Sequence, residues 1–146
     1  LDEISGIGQL TAQQIIAEIG TDMDKFETAD QLTSWAGLAP GNNESAGKKK
    51  STSTKKGNKY LRTAMVSSGW AAARSKKTYW FFLFSYLKRK MSAKKAIIAI
   101  ARRMLKVVFK VLKDKIQYVE GGKELFDHYQ HVRLAKQVDK STIKAA

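Results

Sequence analysis

A hydroxyl that attacks a phosphodiester needs a base or metal to activate it and a cation to stabilise the transferred phosphoryl group. In this sequence Glu44-Ser45-Ala46-Gly47-Lys48 meets the second need, through Lys48 and the amide of Gly47, but nothing nearby clearly meets the first. Ser51 and Ser53 are equally plausible on composition, so the local sequence leaves the nucleophile open among the three hydroxyls. Around them Lys48, Lys49, Lys50, Lys55, Lys56 and Lys59 crowd into one segment. Ammonium groups so closely spaced repel one another unless phosphates neutralise them. The plainer reading is a solvated surface loop that binds nothing specific. If each lysine met a phosphate, affinity would fall by about 0.9 logarithmic units per contact for each decade of salt.

A second candidate is Ile4-Ser5-Gly6-Ile7-Gly8, directly before a helix. Gly6 and Gly8 flank Ile7 as in the hairpin of a helix-hairpin-helix element, whose amides point outward at a helix N-terminus and suit a phosphate oxygen. Contact through backbone would hold DNA without reading its sequence. An ordinary glycine turn is the alternative. Asp22, Asp24 and Glu27 cluster but fit a solvated turn better than a metal site, and His128 and His131 have no Cys or carboxylate at ligand spacing. The rings of Tyr79, Trp80, Phe81, Phe82, Phe84 and Tyr86 have the chemistry to stack on single-stranded bases. At helical spacing with almost no charge between them, they fit a core or a helix–helix interface better, with part of the run at a dimer contact.

Charge points the same way as the lysines. Lys plus Arg number 27 against 13 Asp plus Glu, a formal net charge of +14 on 146 residues, which calls for a polyanion such as nucleic acid or an acidic membrane. Hydrophobic residues at 43% suffice for a packed core, and the absence of cysteine excludes disulfides and Cys-ligated zinc. The richest apolar run, Tyr79 to Leu87, is too short to span a bilayer and ends in Lys88-Arg89-Lys90. The start at Leu1 carries neither a signal peptide nor an initiator Met, and reads as a piece of a longer cytoplasmic protein, associated with the nucleoid through DNA.

Helices must position these groups, because strand-like alternation is nearly absent and Pro40 is the only proline. The pattern predicts an all-α fold. The first helix spans about Thr11 to Ile19 and stops at Gly20; the second is capped by Thr28, with Gln31 at capping-box spacing, and stops at Gly37. A third runs from near Asn58 to about Ser75, and a fourth from Thr78 to about Lys90. The fifth starts at Ser92 and carries Ile97, Ile100, Ala101, Met104, Leu105, Val108, Val111 and Leu112 at helical period until Gly121-Gly122 breaks the pattern. A weaker helix covers Lys123 to about Val138. Residues 1–120 read as one helical domain, with the glycine hairpin at 4–12, and 121–146 as a C-terminal helix and tail. The segment from Pro40 to Lys59 is a long basic loop between the second and third helices, which inside a compact domain is functional or disordered.

Taken together, Ile4-Ser5-Gly6-Ile7-Gly8, Thr11-Ala12, Ala17-Glu18-Ile19-Gly20, Phe26, Trp35-Ala36-Gly37-Leu38-Ala39-Pro40, Glu44-Ser45-Ala46-Gly47-Lys48, Lys56-Gly57-Asn58 and Leu61-Arg62 make a distinctive order. It resembles the C-terminal domain of insertion-sequence transposases related to the Piv DNA invertase, the type with an N-terminal RuvC-like DEDD domain. Matching motifs span about Ile4 to Leu112. The resemblance implies a helical, DNA-binding domain that contributes a serine to strand cleavage and exchange, here Ser45. Ala46 separates Ser45 from Gly47, where the family usually sets serine directly before glycine. It further implies that magnesium is held by acidic residues of the N-terminal domain, with no cofactor in this part. The implied partners are transposon-end and target DNA, a guide-like RNA as in some relatives, and further copies of the chain.

The leading expectation is thus a strand-exchange module without chemistry of its own when isolated. Ser45 serves as nucleophile, and Gly6, Ile7, Gly8, the loop lysines, Asn58 and Arg62 hold DNA. A non-catalytic, sequence-indifferent DNA-binding protein is the alternative. A membrane-surface protein anchored by its fourth and fifth helices ranks last, since a glycine hairpin has no evident use at a bilayer.

Overall fold

The computed structural model describes the backbone of residues 1–41, 43–45, 48–51, 53, 54 and 56–145, and the side chains of these apart from 43–45, 48–51 and 138–145. Among them the helices are α1 (Gln9–Ile19), α2 (Ala29–Trp35), α3 (Lys59–Arg74), α4 (Tyr79–Lys88), α5 (Ala93–Asp114) and α6 (Gly122–Ala145). The fold is all-α, as the apolar periodicity predicts.

Helix α5 is the axis of the fold. Its stripe of Ile97, Ile100, Ala101, Met104, Leu105 and Val108 is buried, and α2, α3 and α4 pack around it. Helix α1 lies on α3, placing Ile15 and Ile19 in the same core as Leu61 and Met65. The starts of α2, α3 and α4 are set by side-chain caps. Thr28 Oγ1 accepts from Gln31 N at 3.2 Å, Asn58 Oδ1 from Leu61 N at 2.8 Å and Thr78 Oγ1 from Phe81 N at 3.2 Å. Ser92 occupies the N-cap of α5 without such a bond.

Three features differ from the sequence pattern. The basic segment carries a short antiparallel ladder, β1 (Asn43–Ser45) with β2 (Lys48–Ser51), where no apolar alternation signals strands. Its register sets Glu44 opposite Lys49, residue types that a search for apolar alternation does not pick out. Helix α5 stops seven residues before the glycine pair, because Lys115 takes the left-handed conformation at φ 51° and its amide caps Val111 O. Helix α6 runs past the expected end at Val138, as no proline or glycine interrupts the chain from Lys123 to Ala145.

Helix α6 also resolves how a small domain covers so many rings. Trp80, Leu83 and Leu87 point into the core, while Phe126 of α6 sits 6.4, 6.2 and 6.0 Å from the rings of Tyr79, Phe82 and Tyr86. Cover for this part of the aromatic run therefore comes from the chain itself. Glu120 fixes the approach of α6: its carboxylate accepts from Tyr79 N at 2.7 Å, Gly122 N at 3.0 Å, Ser5 Oγ at 3.2 Å and the Tyr118 hydroxyl at 2.9 Å. One carboxylate thus joins the N-terminal hairpin, the start of α4 and the start of α6. Burial, and then the neighbouring Glu120, pushes the Tyr118 hydroxyl far above its ordinary pKa, so it stays a donor.

Candidate nucleic-acid interface

The basic segment is closed at its base by backbone contacts. Gly41 N donates to Ser53 O at 3.0 Å, Pro40 and Thr54 form an antiparallel bridge, and Asn58 N donates to Trp35 O at 2.9 Å. Gly57 is pressed so hard on the end of α2 that a Cβ there would lie 2.2 Å from Gly37 N. Arg62 donates to the Gly37 carbonyl, and Asn58 Nδ2 donates to Glu18 Oε2 at 2.9 Å while its Oδ1 caps α3. Both expected phosphate ligands thus bond within the chain and hold the loop to the helical body. Lys56 is exposed beside them; Lys55 lies outside the described residues.

From this base the ladder extends with Ser45 paired to Lys48 at its far end. The step in register between Asn43 and Glu44 leaves Lys50 as the extra residue of β2. Lys48, Lys49 and Lys50 share that strand; for these and for Ser45 only the backbone is described, and Ala46 and Gly47 lie outside the described residues.

The loop base forms one wall of a groove of about 980 Å³, through Leu38, Pro40, Ser53 and Thr54. The other wall is the N-terminal half of α5, with Lys94, Lys95, Arg102, Arg103 and Lys106 around Met91, Ile98 and Ala99. These cations are not among the candidate residues that the sequence pattern singles out. The available signal was spacing, since Lys95, Arg102 and Lys106 recur at seven and eleven residues and so share one helix face. Among the described residues Asp30 is the carboxylate that pairs with the groove, accepting from Lys106 Nζ at 2.7 Å and Arg102 Nη2 at 2.9 Å. The Nε of Arg102 is buried with no hydrogen-bond partner among the described residues.

Lys106, then Arg102, holds the Asp30 carboxyl below its ordinary pKa. A depressed carboxylate contributes stability that is present above its unfolded value, about 4, and is lost as pH falls through the lower folded value. Near neutrality Asp30 therefore competes with any incoming phosphate for two cations. Asp30→Asn is expected to strengthen binding of duplex DNA about threefold at fixed salt, read by fluorescence anisotropy. Weaker binding would show that Asp30 serves to aim the cations rather than to occupy them.

The N-terminal glycine turns lie elsewhere. Successive turns, Ile4 N to Leu1 O and Ile7 N to Ile4 O, lead into α1 at Gly8. Gly6 has φ 94° and is wedged on α3, where a Cβ would lie 2.4 Å from Ser68 O; Ile7 is buried, whereas Gly8 faces open space. Gln9 and Ala12 flank Leu112 near the C-terminal end of α5. From Ile98 in the groove to Leu112 is about 20 Å along the helix. The structure therefore places the start of α1 near the C-terminal end of α5 and the basic groove toward its N-terminal end.

No helix among the described residues is long and apolar enough to cross a membrane. No three His, Asp or Glu residues gather there to hold a metal ion, and Asp22 instead accepts from Asp24 N at 2.9 Å in a turn. The magnesium implied by the resemblance therefore finds no such ligand set among these residues. The family model described as Transposase IS116/IS110/IS902 family matches residues 1–83, which include the loop wall of the groove but not its α5 wall. No curated protein and no solved structure matches the chain. Since the family match covers more than half of the 146 residues, the chain belongs to the IS116/IS110/IS902 transposase family and so to the transposition of insertion sequences on DNA.

Proposed function

We propose that this chain is the DNA-binding and strand-exchange module of a transposase related to the Piv invertase type, gripping phosphodiester backbone in the groove between α5 and the base of the lysine-bearing ladder. The observation that carries the reading is the groove itself, lined by five cations of which two pair with the exposed Asp30, beside the segment that bears Ser45. An apolar floor with cations along its rim suits a polyanion whose sugars contact the floor while its phosphates meet the rim. Lys48, Lys49, Lys50, Lys55 and Lys56 add positive charge on the same stretch of sequence. Asn58 and Arg62 act one step back, by holding the ladder's base to α1 through Glu18 and to the turn after α2 through the Gly37 carbonyl. Gly8, at the uncapped start of α1, offers a second, distant phosphate contact, with Gly6 and Ile7 positioning it.

In this reading Ser45 is the nucleophile. Its oxygen forms a new bond to phosphorus as the bridging P–O bond of the strand breaks, and the proton lost by the hydroxyl is balanced by the one gained by the departing strand end. A phosphoserine link results, and reversal with a different strand end completes exchange. A guide-like RNA would meet the same phosphate chemistry, and further copies of the chain would bring the second strand.

The groove is tested by comparing two sets of substitutions on α5. Lys94→Gln/Lys95→Gln/Lys106→Gln is expected to weaken duplex binding at least about tenfold at low salt. Lys110→Gln/Lys113→Gln, also exposed lysines of α5, is expected to bind like the parent. Equal losses in both variants would reduce the groove to general surface charge.

A further inference from the structure

Beyond the groove, a cleft of about 420 Å³ opens between α4, α5 and α6. Its lining includes Tyr79, Tyr86, Tyr129, Gln130, Arg103 and Arg133 together with aliphatic side chains, and among the described residues no carboxylate lines it. The size lies within the range of small-ligand pockets, about 300–1,000 Å³. The arginines meet the tyrosine hydroxyls at its edge: Arg103 Nη1 donates to Tyr79 at 3.5 Å and Arg133 Nη1 to Tyr86 at 3.4 Å. Lys90 Nζ adds a bond to Tyr86 at 2.7 Å. Aromatic faces with guanidinium groups beside them suit a flat ring, because a base stacks on a tyrosine face and on an arginine plane alike. Arg103 lines this cleft and the basic groove alike, so the two share a border.

We infer that the cleft receives an unpaired nucleobase from a DNA strand whose backbone lies in the α5 groove, with Arg103 taking the phosphate at the junction. The inference rests on the groove reading. Tyr129, 53% exposed on α6, supplies a stacking face reachable from solvent, and the Gln130 amide offers a donor and an acceptor to the base edge. Stacking of this kind tolerates any base. The cleft therefore gives the chain a preference for locally opened DNA without a sequence code.

The test uses the full chain with a single-stranded oligothymidylate and an equally long abasic oligomer, which keeps the phosphates and lacks the rings. The parent is expected to favour thymidylate on the order of tenfold. Tyr129→Ala, and separately Arg133→Gln, should bring the ratio toward one with duplex affinity unchanged, while Tyr129→Phe keeps the preference. Both substituted side chains are exposed on α6, and thermal melts confirm that each variant folds. A parent that holds both oligomers equally, or variants that keep its preference, overturns the base-binding inference even if the groove variants still weaken duplex binding. A parent that binds neither duplex nor strand overturns the groove reading as well.

Discussion

In a transposase that carries the N-terminal domain the resemblance implies, replacing Ser45 with alanine is expected to abolish strand exchange, lowering its rate at least about a thousandfold, while DNA affinity stays within twofold of the parent. The two readouts separate a nucleophile from a phosphate ligand. A single neutral hydroxyl contributes little to the hold on a polyanion, which the cations dominate, whereas no other group replaces the oxygen that bonds to phosphorus. Ser51→Ala and Ser53→Ala serve as controls, because the local sequence offers those hydroxyls on the same terms. Exchange persisting in Ser45→Ala and vanishing in either control would move the nucleophile along the segment. Exchange persisting in all three would leave a DNA-binding protein without this chemistry.

Comparable in size, but on stability, is the contrast between two glycines of one hairpin. Gly6→Ala is expected to cost more than about 3 kcal/mol, enough to unfold much of the population, because it combines a left-handed backbone with a Cβ driven into the α3 backbone. The nearest atoms would be Ser68 O at 2.4 Å and Ala72 N at 2.7 Å, neither of which can move without bending α3. Gly8→Ala, where a Cβ meets nothing within 4 Å, should cost less than about 1 kcal/mol. Urea unfolding of both variants checks the contrast. Similar midpoints for the two would mean that the hairpin does not lie on α3 in solution.

That contrast also shows what the sequence could and could not convey. A glycine required by a turn and a glycine required by a neighbouring helix look the same in one dimension, so Gly6 and Gly8 read as a matched pair. The helical elements were legible because their apolar stripes and their caps, Thr28, Asn58 and Thr78, are local signals. The ladder of β1 and β2 was not, since its pairing is polar and its strands short. The groove was hidden for a different reason. Its walls come from residues 38–54 and 91–106, and only the packing of α2 against α5 brings them together. The densest lysine run is visible in one dimension, whereas the cations of α5 are spread over thirteen positions and converge only when the helix forms.

The central claim is that nucleic-acid backbone lies along α5, and the dependence of duplex affinity on salt tests it most directly. Plotting the logarithm of the binding constant against that of salt concentration should give a steep line for the parent. The slope should fall by about 0.9 for each phosphate contact removed in Lys94→Gln/Lys95→Gln/Lys106→Gln. A groove variant that keeps the parental slope would contradict the account, since it would mean that the phosphates are neutralised elsewhere on the surface.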